Sequence, residues 1–299
     1  MAPLTRRSRK KAQAAVIGDA DRLSALPGDV LWQIVGLLPA QEAVRTSVLA
    51  RTWRDVWKAT DRLLITGESA EEVGGFVDSL LELRLRSLAQ ARLSACEFHF
   101  HWFEEENEDC DPGRVDRWIR HALGCEIEAL RIHISGGDDF LYISENPLVS
   151  GYLKRLQFAG LLLSAGFLDF SGCPVLQDLE ICECGLDFVP KITSPSLKRL
   201  SIEYCWFDAD RRLRIVAPRL VSLRLGRPVS GRTPVLESMP ELLVAHVVAL
   251  SDRDCCYCDE SSLMMTAWAA ITLWTTVKVL KDFLTMRTKV KTPVVGVFF

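Results

Sequence analysis

The sequence predicts an α/β protein with two parts, a short N-terminal unit of three helices and a long solenoid of parallel strands joined by helical or irregular returns. Two observations predict this. Apolar residues recur at helical spacing between residues 21 and 60. A short apolar motif then recurs between residues 127 and 247 at steps of 21 to 26 residues, a period typical of stacked structural repeats.

The composition is that of a globular protein. Hydrophobic residues make up 48% and charged residues 25% of the 299 residues, and the formal net charge is −3. This charge gives no basic footprint for nucleic acid. The basic start, MAPLTRRSRKK, is not followed by the apolar core of a secretory signal, so the ten cysteines predict a reduced, intracellular setting in the nucleus, the cytoplasm or both. Residues 1–20 are predicted to be a disordered basic tail, and five basic residues between positions 6 and 11 are alternatively a nuclear address.

The N-terminal unit begins with a helix opened by Pro27, whose missing N–H suits a first turn. Its apolar residues recur at helical spacing, and Pro39 ends it; they are Val30, Leu31, Ile34, Leu37 and Leu38. A second helix carries Val44, Val48 and Leu49, and a third carries Trp53, Val56 and Trp57. Three helices in under forty residues cannot bury these side chains among themselves, so we expect the excess to pack on the rest of the chain or on another protein.

The same residues resemble an F-box of the plant type. The matching positions are Leu26-Pro27, Leu31, Ile34 and Leu38, then Arg45-Thr46-Ser47-Val48-Leu49, Arg51, Trp53-Arg54 and Trp57. Gly28 and Ala50 depart from the usual pattern without removing a large apolar contact. The alternative is a generic buried three-helix bundle.

The resemblance implies that residues 21–60 dock on a Skp-type adaptor and, through it, on cullin. The residues that it assigns to this docking are Leu26, Pro27, Leu31, Ile34, Leu38, Val48, Trp53 and Trp57. Among them Leu26, Pro27 and Ile34 are the stronger candidates for the adaptor. Trp53 and Trp57 are expected to be shared with the core of the chain itself.

Strands and helices alternate in the next part of the chain. Residues 63–65 and 93–100 are predicted strands, and residues 71–83 and 115–123 are predicted amphipathic helices, the second of them containing Trp118. The acidic run at 104–111 is interpreted as a solvated loop. A metal site there is the alternative, but the run lacks the spacing of a calcium loop.

The repeated motif is L-x-x-L-x-hydrophobic. Its six copies are Ile127/Leu130/Ile132, Leu153/Leu156/Phe158, Leu176/Leu179/Ile181, Leu197/Leu200/Ile202, Leu220/Leu223/Leu225 and, more weakly, Leu242/Ala245/Val247. Such a strand motif at this period is the mark of leucine-rich repeats. Prolines at 174, 195, 218 and 240 each precede a unit by two residues and begin its strand without removing a ladder donor.

Stacked repeats of this kind form a continuous sheet, about 25 Å wide for six strands, which suits a macromolecular partner better than a small ligand. Residues 61–250 are therefore predicted to be a leucine-rich-repeat domain that binds a target protein of unknown identity. With the helix around Trp118, residues 21–250 resemble plant F-box proteins with leucine-rich repeats, and in particular the FBD-like group.

The last segment, 251–299, fits the pattern less well and is predicted to be a divergent cap or tail. Residues 261–277 are uncharged, and a helix covering the open end of the solenoid is the favoured interpretation. A membrane span is the alternative, but the run is short and contains several threonines, so no membrane association is expected.

Neither the cysteines nor the histidines form a recognisable site. Cys182 and Cys184, like the group Cys255, Cys256 and Cys258, lack the spacing of zinc knuckles. Cys184 and Cys205 lie three residues beyond a strand's last apolar residue, where these repeats place structural Asn or Cys. His99 and His101 share a strand face without an identifiable third ligand. No catalytic residue, metal or cofactor is predicted.

If the chain acts as the family does, it is the substrate-recognition subunit of a Skp–cullin–F-box ubiquitin ligase, and it catalyses no covalent step itself. The first alternative is a protein-interaction module that holds a Skp-type adaptor without delivering a substrate. The second is an enzyme built on the cysteine or histidine clusters, which would need a bound metal or a reactive thiol.

Overall fold

A computed structural model describes residues 25–86, 93–102, 112–136, 140–143 and 145–248. Several predicted features lie outside these residues. They are the basic tail at 1–20, the first residues of the predicted N-terminal unit at 21–24, the acidic run at 104–111, the Cys255 group, the apolar run at 261–277 and the predicted C-terminal cap as a whole.

The described chain contains four α-helices, three short 3-10 turns and fifteen strands. The helices are α1 (Gly28–Val35), α2 (Ala40–Arg45), α3 (Ala70–Arg86) and α4 (Pro112–Gly124), and the 3-10 turns are Thr46–Val48, Arg51–Trp53 and Val56–Ala59. The eight strands of the main sheet are β1 (Arg62–Gly67), β2 (Ala95–Trp102), β3 (Ala129–Gly136), β5 (Arg155–Ala159), β7 (Asp178–Cys182), β10 (Arg199–Glu203), β13 (Ser222–Leu225) and β15 (Val244–Val247). The short strands are β4 (Leu141–Tyr142), β6 (Leu161–Leu162), β8 (Gly185–Leu186), β9 (Lys191–Thr193), β11 (Trp206–Phe207), β12 (Arg214–Val216) and β14 (Val235–Leu236).

The main sheet is parallel throughout, and its strands follow chain order, as stacking of successive repeats requires. Every predicted motif supplies one strand, and β1 and β2 extend the sheet at its first edge. The register aligns the apolar positions of all eight strands. One inward column runs from Leu63 to Ala245 and a second from Ile65 to Val247. This alignment buries one continuous core beneath the sheet.

Repeat length decides what returns the chain from one strand to the next. Leu63 and Cys96 are register partners 33 residues apart, and Cys96 and Leu130 are 34 apart. These two repeats are long enough to hold α3 and α4. The later repeats have only 21 to 26 residues, and short strands take the place of helices in their returns. These strands form a second sheet, β11-β8-β6-β4, and a third, β14-β12-β9.

The predicted N-terminal helices form a small unit with a core of its own. Leu31 and Val35 of α1 pack with Ala43 of α2 and with Trp53 and Val56. Two prolines open its helices, since the carbonyl of Pro27 accepts the N–H groups of Val30 and Leu31 at 3.1 Å, and that of Pro39 accepts Ala43 N–H at 2.8 Å. The third helical segment consists of 3-10 turns rather than one continuous α-helix.

This unit covers the first edge of the main sheet. Pro39 makes a parallel bridge to Leu64 of β1, and Gln41 Nε2 donates to the carbonyl of Thr66 at 2.7 Å. Ala40 belongs to the core of the solenoid, and Val44 and Trp57 pack against it. An exposed sheet edge is a template for unwanted pairing, so this covering protects the fold as well as joining its two parts.

Candidate interaction surfaces

Two surfaces of the described chain have the character of interaction sites. The first is a set of exposed apolar side chains on the N-terminal unit, here called the exposed apolar set: Trp32, Ile34, Leu37, Val48 and Leu49. Val48 is 85% exposed, Leu37 71% and Leu49 66%. Five large apolar side chains in a run of 18 residues are more than a free surface normally shows, and such exposure marks a contact with another molecule.

The structure distributes the eight predicted docking residues over three environments. Pro27, Ile34 and Val48 are exposed. Leu31 and Trp53 are 1% and 5% exposed and belong to the small core. The other three are half-buried and pack against that core; they are Leu26, Leu38 and Trp57. Leu31 and Trp53 therefore have no free surface with which to contact a partner in this conformation.

Three members of the exposed apolar set were not among the eight predicted residues. Trp32 lies outside the apolar stripe that α1 turns toward the core. Its position off that stripe is the signal in the sequence that could have indicated its exposure. Leu37 belonged to the predicted stripe, but α1 ends at Val35, so the chain leaves helical geometry before residue 37. Leu49 follows the 3-10 turn Thr46–Val48, where the tighter winding changes which side chains face inward.

The second surface is the solvent-facing side of the main sheet. Alternation along each strand places polar side chains there, and they form a hydrogen-bonded network. Glu97 accepts from Arg62 at 2.9 Å and from Arg131 at 3.0 Å. Arg131 also donates to Gln157, whose Nε2 donates to Glu180 at 2.7 Å. A groove of about 300 Å³ lies at the beginning of the first four strands of this face.

The histidines of the sheet face pair across strands. The rings of His99 and His133 are 5.5 Å apart, and His101 Nδ1 lies 2.9 Å from Ser135 Oγ. Burial, followed by the nearby His133, lowers the pKa of His99, while Glu97 opposes this shift. Among the residues that the structure describes, no group of three or more His, Cys, Asp or Glu side chains is arranged to hold a metal ion.

Cys184 and Cys205 are buried in the solenoid. Cys184 Sγ lies 3.2 Å from the carbonyl of Cys182, and Cys205 Sγ lies 3.3 Å from that of Glu203. Burial raises the pKa of Cys184 to about 12, and burial also raises that of Cys205. Both thiols therefore stay protonated at neutral pH, and a protonated buried thiol is a packing group rather than a nucleophile.

The length and charge of the described helices bear on membrane insertion. α3, the longest of them at 17 residues, carries many charges, and none of the four has the length and apolar content needed to cross a bilayer.

Comparison with known proteins identifies the N-terminal unit. Residues 23–64 match the F-box domain. The chain is 30% identical over 259 residues to the MEIOTIC F-BOX protein MOF of Oryza sativa subsp. japonica, an alignment that covers 78% of this chain and 52% of the relative. It is 29% identical to a putative FBD-associated F-box protein of Arabidopsis thaliana, over 70% of this chain and 51% of the relative.

An F-box/LRR-repeat protein of Arabidopsis thaliana is 26% identical, over 77% of this chain and 68% of the relative. The chain spans about half the length of most of the curated relatives it matches. No solved structure matches the chain significantly. The F-box match, the strand register and these relatives agree: the chain carries an F-box domain followed by a parallel-strand solenoid, and over about three quarters of its length it is similar to plant F-box proteins with leucine-rich repeats.

Proposed function

We propose that the chain is the substrate-recognition subunit of a Skp–cullin–F-box ubiquitin ligase. In this proposal the F-box, taken as residues 21–60, docks on a Skp-type adaptor, and the repeats, taken as residues 61–250, bind a target protein. The exposed apolar set carries the proposal, because an F-box that served only as packing for its own solenoid would have no reason to expose Leu37, Val48 and Leu49.

The docking surface that we propose differs in part from the set predicted from the sequence. It keeps Pro27, Ile34 and Val48, and it adds Trp32, Leu37 and Leu49. The half-buried side chains of Leu26, Leu38 and Trp57 border it. Leu31 and Trp53 act from inside, where they hold α1 and the 3-10 turns in place.

The contribution of such a subunit is proximity. A target held on the repeats is presented to the ligase at a raised effective concentration, so the chain itself needs no catalytic group. A rigid connection between the two binding surfaces favours this role. The Pro39–Leu64 bridge and the bond from Gln41 to Thr66 support such a connection. We place the function inside the cell, in the nucleus or cytoplasm, where a reducing setting agrees with the free thiols of the six described cysteines.

The test is co-purification with a Skp-type adaptor and cullin, comparing the parent chain with a Leu37→Asp/Val48→Asp double variant. Both side chains are exposed, so the substitutions leave the core intact. In a dry interface each unpaired aspartate costs several kcal/mol. The expected result is adaptor and cullin with the parent and neither with the variant. The matched control is Phe188→Asp, an equally exposed apolar residue on the repeats, which should leave co-purification unchanged.

Two outcomes contradict the proposal in different ways. Absence of adaptor from a folded parent means that the exposed apolar set serves another partner. Adaptor without cullin supports instead the alternative function, an interaction module that delivers no substrate. Circular dichroism and urea unfolding of every variant confirm that folding is unchanged.

A further inference from the structure

The groove on the main sheet has a chemical character that the F-box does not explain. Its floor is formed by Ala95 and Ala129, which are register partners on β2 and β3. Arg62 on β1 and Arg155 on β5 flank these two alanines in the same register. Three strand spacings separate the arginines, so their Cα atoms lie about 14 Å apart across a floor of methyl groups.

Arginine dominates the charge of this groove. Arg62, Arg131 and Arg155 line it, and Glu97 is its only lining carboxylate among the described residues. Glu97 is shared between Arg62 and Arg131, at 2.9 and 3.0 Å, and its side chain is 16% exposed. One carboxylate between two guanidinium groups fixes their positions and leaves a net positive charge.

Arg155 differs from the other two arginines. Within the ranges that the structure describes, its side chain makes no hydrogen bond and no ion pair. Its register neighbour Asp178 pairs instead with Arg199, which lies one strand further on. Arg155 therefore stands at the edge of the alanine floor with all its donors available.

The other half of the same sheet face carries more acidic than basic side chains. Asp178, Glu180 and Glu203 lie on β7 and β10, and the cations of this half are Arg199 on β10 and Arg224 on β13. Arg199 pairs with Asp178, and Arg224 lies 3.6 Å from Glu203. The positive groove is thus a local feature of the first four strands rather than a property of the whole sheet.

We propose that this groove binds an anionic side chain of the target protein, a carboxylate or a phosphorylated hydroxyl, with Arg155 as its principal ligand. The inference rests on the proposed function only in identifying the bound protein as a ligase target. A guanidinium presents a planar fork of donors that matches carboxylate and phosphate oxygens. The Glu97 network holds the neighbouring arginines in place before binding, which lowers the ordering cost.

The test measures binding of three fluorescein-labelled peptide pools to the full chain by fluorescence anisotropy. The nine-residue peptides carry phosphoserine, glutamate or glutamine at the centre and randomised uncharged residues elsewhere. We expect both anionic pools to bind more tightly than the glutamine pool, and the difference to shrink as salt is raised. The ratio of the phosphoserine to the glutamate affinity shows which source of negative charge the groove prefers.

Arg155→Ala should weaken binding of the preferred pool about tenfold or more, the effect expected for a lost charge-assisted hydrogen bond. Arg155→Lys should restore only part of it, because a lysine keeps the charge and lacks the fork. The control is Arg224→Ala, which removes an exposed arginine of the same face on β13, outside the groove and away from Asp178. Equal binding of the glutamine pool, no binding of either anionic pool, or an Arg155→Ala variant that binds like the parent would overturn the inference.

This assay contains no adaptor, so it fails or succeeds separately from the proposed function. The Leu37→Asp/Val48→Asp variant should bind the preferred pool as the parent does. Loss of adaptor with retained peptide binding leaves the groove intact and removes the ligase role. Loss of peptide discrimination with retained adaptor binding would overturn the groove inference and leave the ligase role in place.

Discussion

The guanidinium of Arg84 donates a hydrogen bond of 2.6 Å to the backbone carbonyl of Lys58, and this contact ties the solenoid to the end of the F-box. Arg84 lies on α3 and is 4% exposed. It also donates to the carbonyl of Thr60 at 3.1 Å, to Thr60 Oγ1 at 2.7 Å and to the carbonyl of Trp57. These carbonyls close the last 3-10 turn, where helix geometry leaves acceptors without partners.

Replacing Arg84 should therefore loosen the junction. We expect Arg84→Met to lower the free energy of unfolding by about 2–3 kcal/mol, because buried carbonyls lose their donors. Urea unfolding measures this loss. Trypsin should also cleave after Lys58 faster in the variant than in the parent.

The matched control for this prediction is Arg86→Met. Arg86 lies on the same helix, and its ion pair with Glu82 is largely exposed, so its loss should cost under about 0.5 kcal/mol. Equal effects of the two substitutions would show that the bonds of Arg84 do not stabilise the junction.

Substitutions of Trp53 and Leu37 should separate the residues that stabilise the F-box from the residues that bind the adaptor. Trp53 lies in the small core, so Trp53→Ala should cost about 3–5 kcal/mol of stability, as expected for a large core side chain. Leu37→Asp should change the urea midpoint little, because Leu37 is exposed, and should weaken only adaptor binding. Unfolding and pull-down measurements on the same preparations check this. A Trp53→Ala protein as stable as the parent would contradict the assignment of Trp53 to the core.

A residue in the left-handed backbone conformation, here called the left-handed corner, follows each of three neighbouring strands of the main sheet, β5, β7 and β10. Gly160, Glu183 and Tyr204 come directly after the register partners Ala159, Cys182 and Glu203, with φ values of 71°, 50° and 54°. At Gly160 an added Cβ would lie 1.7 Å from the carbonyl oxygen of Ile134, so the backbone would have to move. Gly160→Ala should therefore cost more than about 2 kcal/mol, the combined effect of left-handed strain and this clash.

The companion substitution is Glu183→Gly, which should be neutral or stabilising by up to about 1 kcal/mol, because it removes left-handed strain at the expense of some backbone entropy. Thermal unfolding of both variants gives the comparison. If Glu183→Gly lowered the stability more than Gly160→Ala does, the left-handed corner would not be a strained feature of the repeats.

His99 should make the fold sensitive to mild acid. Its pKa is lowered in the folded state by burial and by His133, so the unfolded chain takes up a proton at a higher pH than the folded chain does. The stability linked to His99 is complete above the ordinary histidine pKa of about 6.5 and is lost as pH falls through the lower folded value. Between about pH 7 and 5 the parent should thus lose more stability than His99→Gln.

The measurement is urea unfolding at several pH values for both proteins. His121→Gln is the control, since this histidine lies on α4 rather than on the sheet face. Parallel stability profiles for the parent and His99→Gln would rule out the linkage.

The spacing of the repeated motif located the last six strands of the main sheet, from β3 to β15. The strands β5, β7, β10 and β13 each have a buried face, and a slip of one residue would turn Leu179 and Ile181 outward, so the repeated apolar positions fix the register as well as the strands. Spacing did not decide the returns. Short strands such as β9 and β12 have only three residues each and gain their pairing from neighbouring repeats, which no local pattern records.

The residues predicted to dock on the adaptor show which features the sequence does not determine. Leu31, Ile34, Leu37 and Leu38 are apolar residues at similar spacing, and periodicity places them all on one helix. By itself the sequence determined that an F-box precedes leucine-rich repeats, because both are local patterns of apolar residues. Only the tertiary structure decided that Leu31 is buried while Leu37 is free, since that depends on where α1 ends and on what packs against it. It also decided that Arg62, Arg131 and Arg155 line one groove, because strand register brings together residues that the chain separates by up to 93 positions (from 62 to 155).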